Sequence, residues 1–442
     1  GRKLLNLTST LESSFSGSVR CPGDKSISQR ILMVGSLINE PIKIEGFLEG
    51  EDPLSTMRAL NQMGADIAIH PNNIFQIKKS PTGLKEPSNP LDLGNSGTGL
   101  RLMLGMTAGL GIKTTFIGDS SLSQRPMKRV LNPLKAMGAD ITSDDGMLPI
   151  ELNSSVLDDD FIYELPVASA QVKSCILLAA LAAQKAVTII EPIQTRDHTE
   201  RMLKHFGANI TIDQKDSKNI ISLKGKASLK AKDYQVVGDI SSAAFLIVGA
   251  LISKSKKLEV CGVGMNPSRI GILSVLKDMG AQIEIKNARE ASGEPIADLV
   301  VLPSKLSGVT LEGAIIPNII DEIPILSIAA AFAEGDTIIR DAAELRVKES
   351  DRLSAISNGL AKLGVVHENL DDGIKIHGNL GLLDIPGPVQ IDSSHDHRIA
   401  MSFLIAGLNC NQPITVLECD NIFTSFPTFL ELTASLGYKI EK

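Results

Sequence analysis

The sequence predicts a mixed fold, α/β or α+β, made of six copies of one unit grouped into two similar three-copy domains with buried helices surrounded by sheets. Three observations carry this. A short phrase, hydrophobic residue, Gly, two variable residues and a β-compatible position, occurs six times: Met63-Gly64-Ala65-Asp66-Ile67, Met137-Gly138-Ala139-Asp140-Ile141, Phe206-Gly207-Ala208-Asn209-Ile210, Met279-Gly280-Ala281-Gln282-Ile283, Leu363-Gly364-Val365-Val366 and Leu436-Gly437-Tyr438-Lys439-Ile440. The spacings of 74, 69, 73, 84 and 73 residues mark internal repetition. Each phrase follows an amphipathic stretch such as Met57 to Gln62 or Val130 to Lys135, so each Gly stands where a helix C-cap hands over to a strand. Finally, the helical runs 174–183, 243–252 and 325–333 are apolar nearly all round, which a helix tolerates only when enclosed on most sides.

Along the chain, Leu5 to Thr8 reads as a strand, Pro22-Gly23 breaks the chain, and a helical run starts near Ile27. β-rich segments recur between the junctions at 43–46, 114–118 and 187–191. Residues 81–90, bounded by prolines, read as an exposed loop, and no low-complexity tract interrupts the order. Three repeats precede residue 238 and three follow it, with the small-residue stretch Val236 to Ala243 between them. The expected first domain is therefore 24–237 and the second is 1–23 with 238–442, hinged near 21–24 and 237–241.

Composition excludes several classes. No uncharged apolar run approaches the roughly 18 residues of a membrane helix, and Gly1-Arg2-Lys3-Leu4-Leu5-Asn6 leads into polar sequence, so the expectation is a cytoplasmic protein with no membrane partner. Cys21, Cys175, Cys261, Cys410 and Cys419 are odd in number, far apart and without a C-x-x-C pair, which disfavours disulfides and structural zinc. A net charge of −7, no Trp and 3% aromatic residues argue against a nucleic-acid partner. Basic residues gather instead in short strings near helix starts, pointing to a small phosphorylated or carboxylated metabolite.

Those strings can carry chemistry, and each has a plainer reading. Asp24-Lys25-Ser26 with Arg30 opens a helix after the Pro-Gly turn, placing an ammonium, a hydroxyl and unpaired N–H groups together as an anion cradle; the plainer reading is an N-cap with solvated cations. Gly94-Asn95-Ser96-Gly97-Thr98-Gly99 lets backbone approach a bound carboxylate, or simply makes a tight turn, and lacks the Lys-Ser/Thr ending of a nucleotide loop. Within Ser123 to Arg129, Arg125 beside Pro126 is the expected ligand. Ser169-Ala170-Gln171 heads a very apolar helix, where polar groups need partners that a ligand can supply. Asp321 precedes another apolar run as either a helix cap or a general base. In Arg346 to Arg352, Lys348 and Arg352 share a helical face at i, i+4 with Glu349 beside them. Asp396-His397-Arg398 opens a further apolar helix, where a lone His is more often structural than catalytic. Together these helix starts are expected to converge on one cleft between the domains.

In order and spacing the strings Asp24-Lys25-Ser26 with Arg30, Gly94 to Thr98, Arg125-Pro126, Arg346 to Arg352 and Asp396-His397-Arg398 resemble the 5-enolpyruvylshikimate-3-phosphate synthase family of enolpyruvyl transferases, from Asp24 to Pro427. The resemblance implies two domains of three β-α-β-α-β-β units that close on substrates, with the first strand in the second domain. It implies no metal and no cofactor and two small-molecule substrates; a monomer is the expected state. Lys25, Ser26, Arg30, Ser169, Ala170, Gln171, Arg196, Asp321 and Lys348 would bind shikimate 3-phosphate. Lys25, Asn95, Gly97, Thr98, Arg125, Gln171, Glu349, Arg352, His397 and Arg398 would bind phosphoenolpyruvate. Asp321 is the expected general base and Glu349 the proton relay, with Lys25 a rival for either role.

The chain departs from some members at Thr424, where they carry Lys, and at Glu344, where they carry Asn; Arg196 stands in a segment that elsewhere contains Tyr. Gly97 keeps the space in which glyphosate-tolerant members often carry Ala. The nearest rival is the sister transferase acting on UDP-N-acetylglucosamine, which relies on a loop Cys that none of the five cysteines matches. A non-catalytic anion-binding sensor is the second rival, although acids beside the cations would repel its ligand.

Overall fold

All six repeat glycines take a left-handed backbone: Gly64 at φ 99°, Gly138 at 107°, Gly207 at 85°, Gly280 at 102°, Gly364 at 72° and Gly437 at 90°. Around each, the Gly N–H bonds the carbonyl three residues back and the next N–H bonds the carbonyl five back, as in Gly64 to Asn61 and Ala65 to Leu60. These are Schellman caps, and they explain the recurrence: a Cβ is penalised at this φ, so Gly ends each second helix and aims the chain into a strand. The computed structural model describes residues 4–11, 16–38, 40–80, 82–226, 228–254 and 256–442, so the expectations on Gly1, Arg2, Lys3 and Pro81 fall outside it.

One copy shows the unit plainly: strand Leu91–Asp92, helix Gly97–Leu110, strand Thr114–Ile117, helix Lys128–Ala136, then the hairpin Asp140–Asp144 and Met147–Asn153. The first two strands are parallel, with Leu91 opposite Phe116, and the last inserts antiparallel beside the second. All six four-stranded sheets share this order, first-second-fourth-third. Three sheets are completed by distant strands. Tyr234–Gln235 supplies the first strand beside Ile42–Glu45, Gly17–Arg20 pairs with Leu258–Gly264, and Leu7–Ser9 lies between Ile414–Leu417 and Ile440–Glu441. The widest repeat spacing coincides with a long hairpin, Gln282–Ala291 and Glu294–Leu302.

The chain divides into two compact units. The first, Gly23–Val236 with the hairpin tip Glu290–Glu294, contains helices α1 Lys25–Leu37, α2 Glu51–Gln62, α3 Gly97–Leu110, α4 Lys128–Ala136, α5 Ala170–Ala183 and α6 His198–His205. The tip is held there by a buried bond of 2.7 Å between His198 Nδ1 and Glu294 Oε1. Helices α3 and α5 approach so closely that a Cβ on Gly105 would sit 2.3 Å from the Cys175 carbonyl oxygen.

The second unit, Gly1–Pro22, Val237–Arg289 and Pro295–Lys442, contains α7 Ile240–Ile252, α8 Gly271–Asp278, α9 Ile316–Ile319, α10 Ile323–Ala331, α11 Arg352–Lys362, α12 His397–Gly407 and α13 Phe429–Ser435. Its core is built on α7, α10 and α12; every residue from Ile240 to Leu251 is buried. Gly313–Ala331 has the length and composition of a membrane span, but it is broken into α9, the 3-10 turn Ile320–Glu322 and the buried α10.

Candidate active site

In the first unit, three helix N-termini carry the predicted side chains. Asp24 caps α1 by accepting from Ile27 N at 2.9 Å, which makes Lys25 the first helical residue. The Lys25 ammonium lies 3.4 Å from the Asp52 carboxylate in the first turn of α2, at 14% side-chain exposure. Arg30, one turn beyond Ser26, is buried; Nη1 donates to the Ser26 carbonyl at 3.0 Å, Nε to Thr199 Oγ1 at 2.9 Å and Nη2 to Ser174 Oγ at 3.0 Å. Arg30 thereby ties α1 to α5 and α6.

Ser96 caps α3, accepting from Gly99 N, and Gln29 of α1 donates to the same hydroxyl at 2.8 Å. Arg125 is buried and donates through Nη2 to Asn95 Oδ1 at 2.8 Å, while Asn95 is itself held by both oxygens of Asp119. Ser169 caps α5. Gln171 accepts from Arg101 Nη1 at 2.9 Å and donates to Thr98 Oγ1 at 3.0 Å. Three N-termini with their partial positive charge, together with Lys25 and Arg125, give this unit an electrostatic preference for anions. A Cβ on Gly97 would lie 2.7 Å from Arg125 Nη1 and 2.8 Å from Arg101 Nη1. Gly97→Ala is therefore expected to displace those guanidiniums and weaken the binding of a small anion such as inorganic phosphate about tenfold, the scale of one charged hydrogen bond. Calorimetric titration of parent and variant with inorganic phosphate would check it; equal affinities would contradict it.

In the second unit the centre is Arg352, whose side chain is only 1% exposed. Its Nε donates to Asp396 Oδ2 at 2.8 Å and its Nη2 to Glu349 Oε2 at 2.5 Å, while Nη1 lies 3.6 Å from Asp321 Oδ1. Arg398 Nη2 is 4.0 Å from Asp321 Oδ2. These surroundings hold the Arg352 guanidinium charged: burial opposes the charge, but Asp396 and Glu349 outweigh it. His397 is buried, with Nδ1 2.5 Å from Ser425 Oγ.

Two sequence expectations change here. Lys348 and Glu349 do not lie on a helix; a 3-10 turn, Ala343–Val347, ends at Lys348, and α11 begins at Arg352 behind the Asp351 cap. The reason is local: Asp351 takes the Ser354 N–H and so starts the helix one turn later than i, i+4 spacing suggests. Asp321 sits in a 3-10 turn, and the N-cap of α10 is Glu322, which makes no side-chain capping bond. Burial holds the Lys348 ammonium below the ordinary lysine range, partly offset by Asp321 and Glu349; Glu344 also acts on it in that direction. Thr424 is half-buried, and its Oγ1 donates to the Asn421 carbonyl at 2.7 Å.

Sequence reasoning missed Asp52, Asp119, Arg101, Thr199 and Ser425, the residues that hold the predicted ones. Of these, Arg101 gave a signal, standing one turn from Gly97 on the same helix. Among the described residues, Glu349, Asp396 and His397 form the cluster with metal-ligand spacing, their atoms within 4.8 Å of one another. Arg352 already supplies a cation to both of its carboxylates.

Two units of three repeats each, with cations and capped helix starts in one and acids around a buried arginine in the other, define an enolpyruvyl transferase fold. The enolpyruvyl transferase NikO from Streptomyces tendae shares that fold at TM-score 0.80, over 99% of this chain and 98% of that one, at 19% identity. More specifically, residues 10–432 match the family described as EPSP synthase (3-phosphoshikimate 1-carboxyvinyltransferase). The 3-phosphoshikimate 1-carboxyvinyltransferase of Ruthia magnifica is 48% identical over 97% of each chain, and that of Zymomonas mobilis is 48% identical over 97% of this chain and 95% of its own. The EPSP synthase structure from Acinetobacter baumannii superposes at TM-score 0.85, with 42% identity and 99% of both chains covered. The chain belongs to the EPSP synthase family.

Proposed function

We propose that this chain transfers the enolpyruvyl group of phosphoenolpyruvate to the 5-hydroxyl of shikimate 3-phosphate, in the shikimate pathway leading to chorismate and the aromatic amino acids, and that the residues above divide the work. The single observation that carries the reading is full-length family membership combined with an intact set of motif residues. The hydroxyl oxygen bonds to C2 of phosphoenolpyruvate while C3 takes a proton; the C2–O bond to phosphate then breaks and C3 gives a proton up. Asp321 accepts the hydroxyl proton and Glu349 relays the proton at C3. Lys25, Ser26, Ser169, Ala170, Gln171, Arg196 and Lys348 take shikimate 3-phosphate, and Arg30 stands behind Ser26. Arg125, Gly97, Thr98, Asn95, Arg352, His397 and Arg398 take the phosphate and carboxylate of phosphoenolpyruvate, where fixed cations meet the charge of the leaving group.

The sister reaction on UDP-N-acetylglucosamine is not favoured: Cys175, Cys410 and Cys419 are buried, and burial pushes the thiols of Cys410 and Cys419 up to about 12. A monomer in the cytoplasm is the working state we propose; the five unpaired cysteines fit a reducing compartment.

The test is phosphate release with both substrates and with each omitted. Release that requires both supports the transferase; release with UDP-N-acetylglucosamine in place of shikimate 3-phosphate moves the assignment to the sister reaction. The lowered pKa of Lys348 adds a signature. Its ammonium is lost at a lower pH than that of an ordinary lysine, so kcat/KM for shikimate 3-phosphate is expected to fall early on the alkaline side, and Lys348→Arg to carry that limb upward. An alkaline limb unmoved by the substitution removes Lys348 from substrate binding.

A further inference from the structure

Behind the N-terminus of α5 lies a second charged interior that the reaction does not use directly. Lys173 is fully buried, and its ammonium has three acceptors: Glu191 Oε2 at 2.8 Å, Glu200 Oε2 at 3.0 Å and the Thr195 carbonyl at 3.4 Å. Both carboxylates are buried too. Thr195 Oγ1 donates to Glu191 Oε2 at 2.5 Å, and Glu200 Oε1 has no hydrogen-bond partner among the described residues. Burial works against the Lys173 charge, but Glu200 and Glu191 raise its pKa above the ordinary value; burial pushes the Glu200 carboxyl up against the pull of Lys173.

Such a cluster is a poor source of stability, since well-packed apolar residues commonly replace buried ion pairs at no loss. Its placement shows what else it does. Glu191 ends the strand Val187–Glu191, Thr195 lies in the following loop and Glu200 sits in the first turn of α6, so one ammonium fixes the start, middle and end of the segment that carries Arg196. Lys173 itself is two residues beyond Gln171 on α5. A second layer runs alongside: Ser174 and Thr199 hydroxyls 2.7 Å apart, both bonded by Arg30.

We propose that Lys173, with Glu191 and Glu200, is a positioning cluster that sets the 195–197 segment and Arg30 against the N-terminus of α5, and thereby fixes affinity for the phosphate of shikimate 3-phosphate. The inference rests on the assignment of Arg196 and the α5 start to that substrate. A misplacement of about 1 Å in such a site is enough for losses of up to about a hundredfold.

The test compares Lys173→Met, Glu200→Gln and Arg196→Ala by kinetics with each substrate varied and by calorimetric binding of shikimate 3-phosphate alone. Lys173→Met is expected to raise KM and Kd for shikimate 3-phosphate about tenfold or more, with the phosphoenolpyruvate KM within about twofold. Glu200→Gln, which keeps the shape and decides the matter if Lys173→Met does not fold, should shift the same two constants by a smaller factor. Combining Lys173→Met with Arg196→Ala should cost less than the two changes taken independently, because they act on one contact. Loss of thermal stability with the shikimate 3-phosphate Kd unchanged, or equal rises in both KM values, overturns the proposal. If Arg196→Ala weakens binding while neither cluster variant does, the cluster alone is refuted; if Arg196→Ala has no effect, the substrate assignment falls and the proposal with it.

Discussion

Asp321→Asn is expected to lower kcat by about 10²- to 10⁴-fold, the usual contribution of a positioned general base, while shikimate 3-phosphate still binds. The substitution keeps the shape of the side chain and removes the carboxylate that lies 3.6 Å from Arg352 and 4.0 Å from Arg398. With that negative charge gone, the two guanidiniums have less competition for an anionic ligand, so phosphoenolpyruvate should bind equally well or more tightly. This combination, slow chemistry with preserved binding, separates a lost base from a distorted site. Pre-steady-state turnover and equilibrium binding on the same preparation would measure both. A kcat retained within about tenfold, some 1.4 kcal/mol, would falsify the assignment of the base.

Arg352→Met should have the largest structural effect of any single change in the second unit. The side chain is 1% exposed and bonds Asp396 and Glu349 directly. Removing it leaves Asp396, itself buried, with only its contacts to Ser350 Oγ and Arg398 N among those described here. Breaking one side of a buried ion pair costs about 3–5 kcal/mol because the remaining charge is stranded. Urea unfolding should register a loss of that order, together with a fall in kcat/KM for phosphoenolpyruvate in whatever fraction remains folded. A stability change below about 1 kcal/mol would show that Arg352 is not the electrostatic centre of this unit.

What could be read from the sequence was whatever is decided within a few residues. The six glycines were legible because the left-handed C-cap is a local requirement, and the cap at Asp24 because a capping side chain sits next to the helix it caps. The anion-binding strings were visible for the same reason. The supporting residues were not. Asp52 holds Lys25, Asp119 holds Asn95, Thr199 holds Arg30 and Ser425 faces His397, and each comes from another segment and looks like an ordinary polar residue until the repeats are folded. Lys173 was hidden further, inside a helix whose other residues announce an apolar core. The borrowed strands fail in a related way. Tyr234–Gln235 is only two residues long and gains its identity from pairing with Ile42–Glu45, far away in the chain. The misplaced start of α11 shows the limit of periodicity: i, i+4 spacing between Lys348 and Arg352 is compatible with a helix, and only the capping competition at Asp351 decides against it.

The most direct measurement runs the complete reaction in D₂O and follows the three-carbon unit by NMR and mass spectrometry. Addition and elimination require C3 of phosphoenolpyruvate to become a methyl group and then lose a proton, so the enol ether product should carry deuterium at C3 and appear in step with phosphate, with both substrates required. Phosphate released without deuterium at C3, or released with pyruvate in place of an enol ether, would contradict enolpyruvyl transfer by this chain.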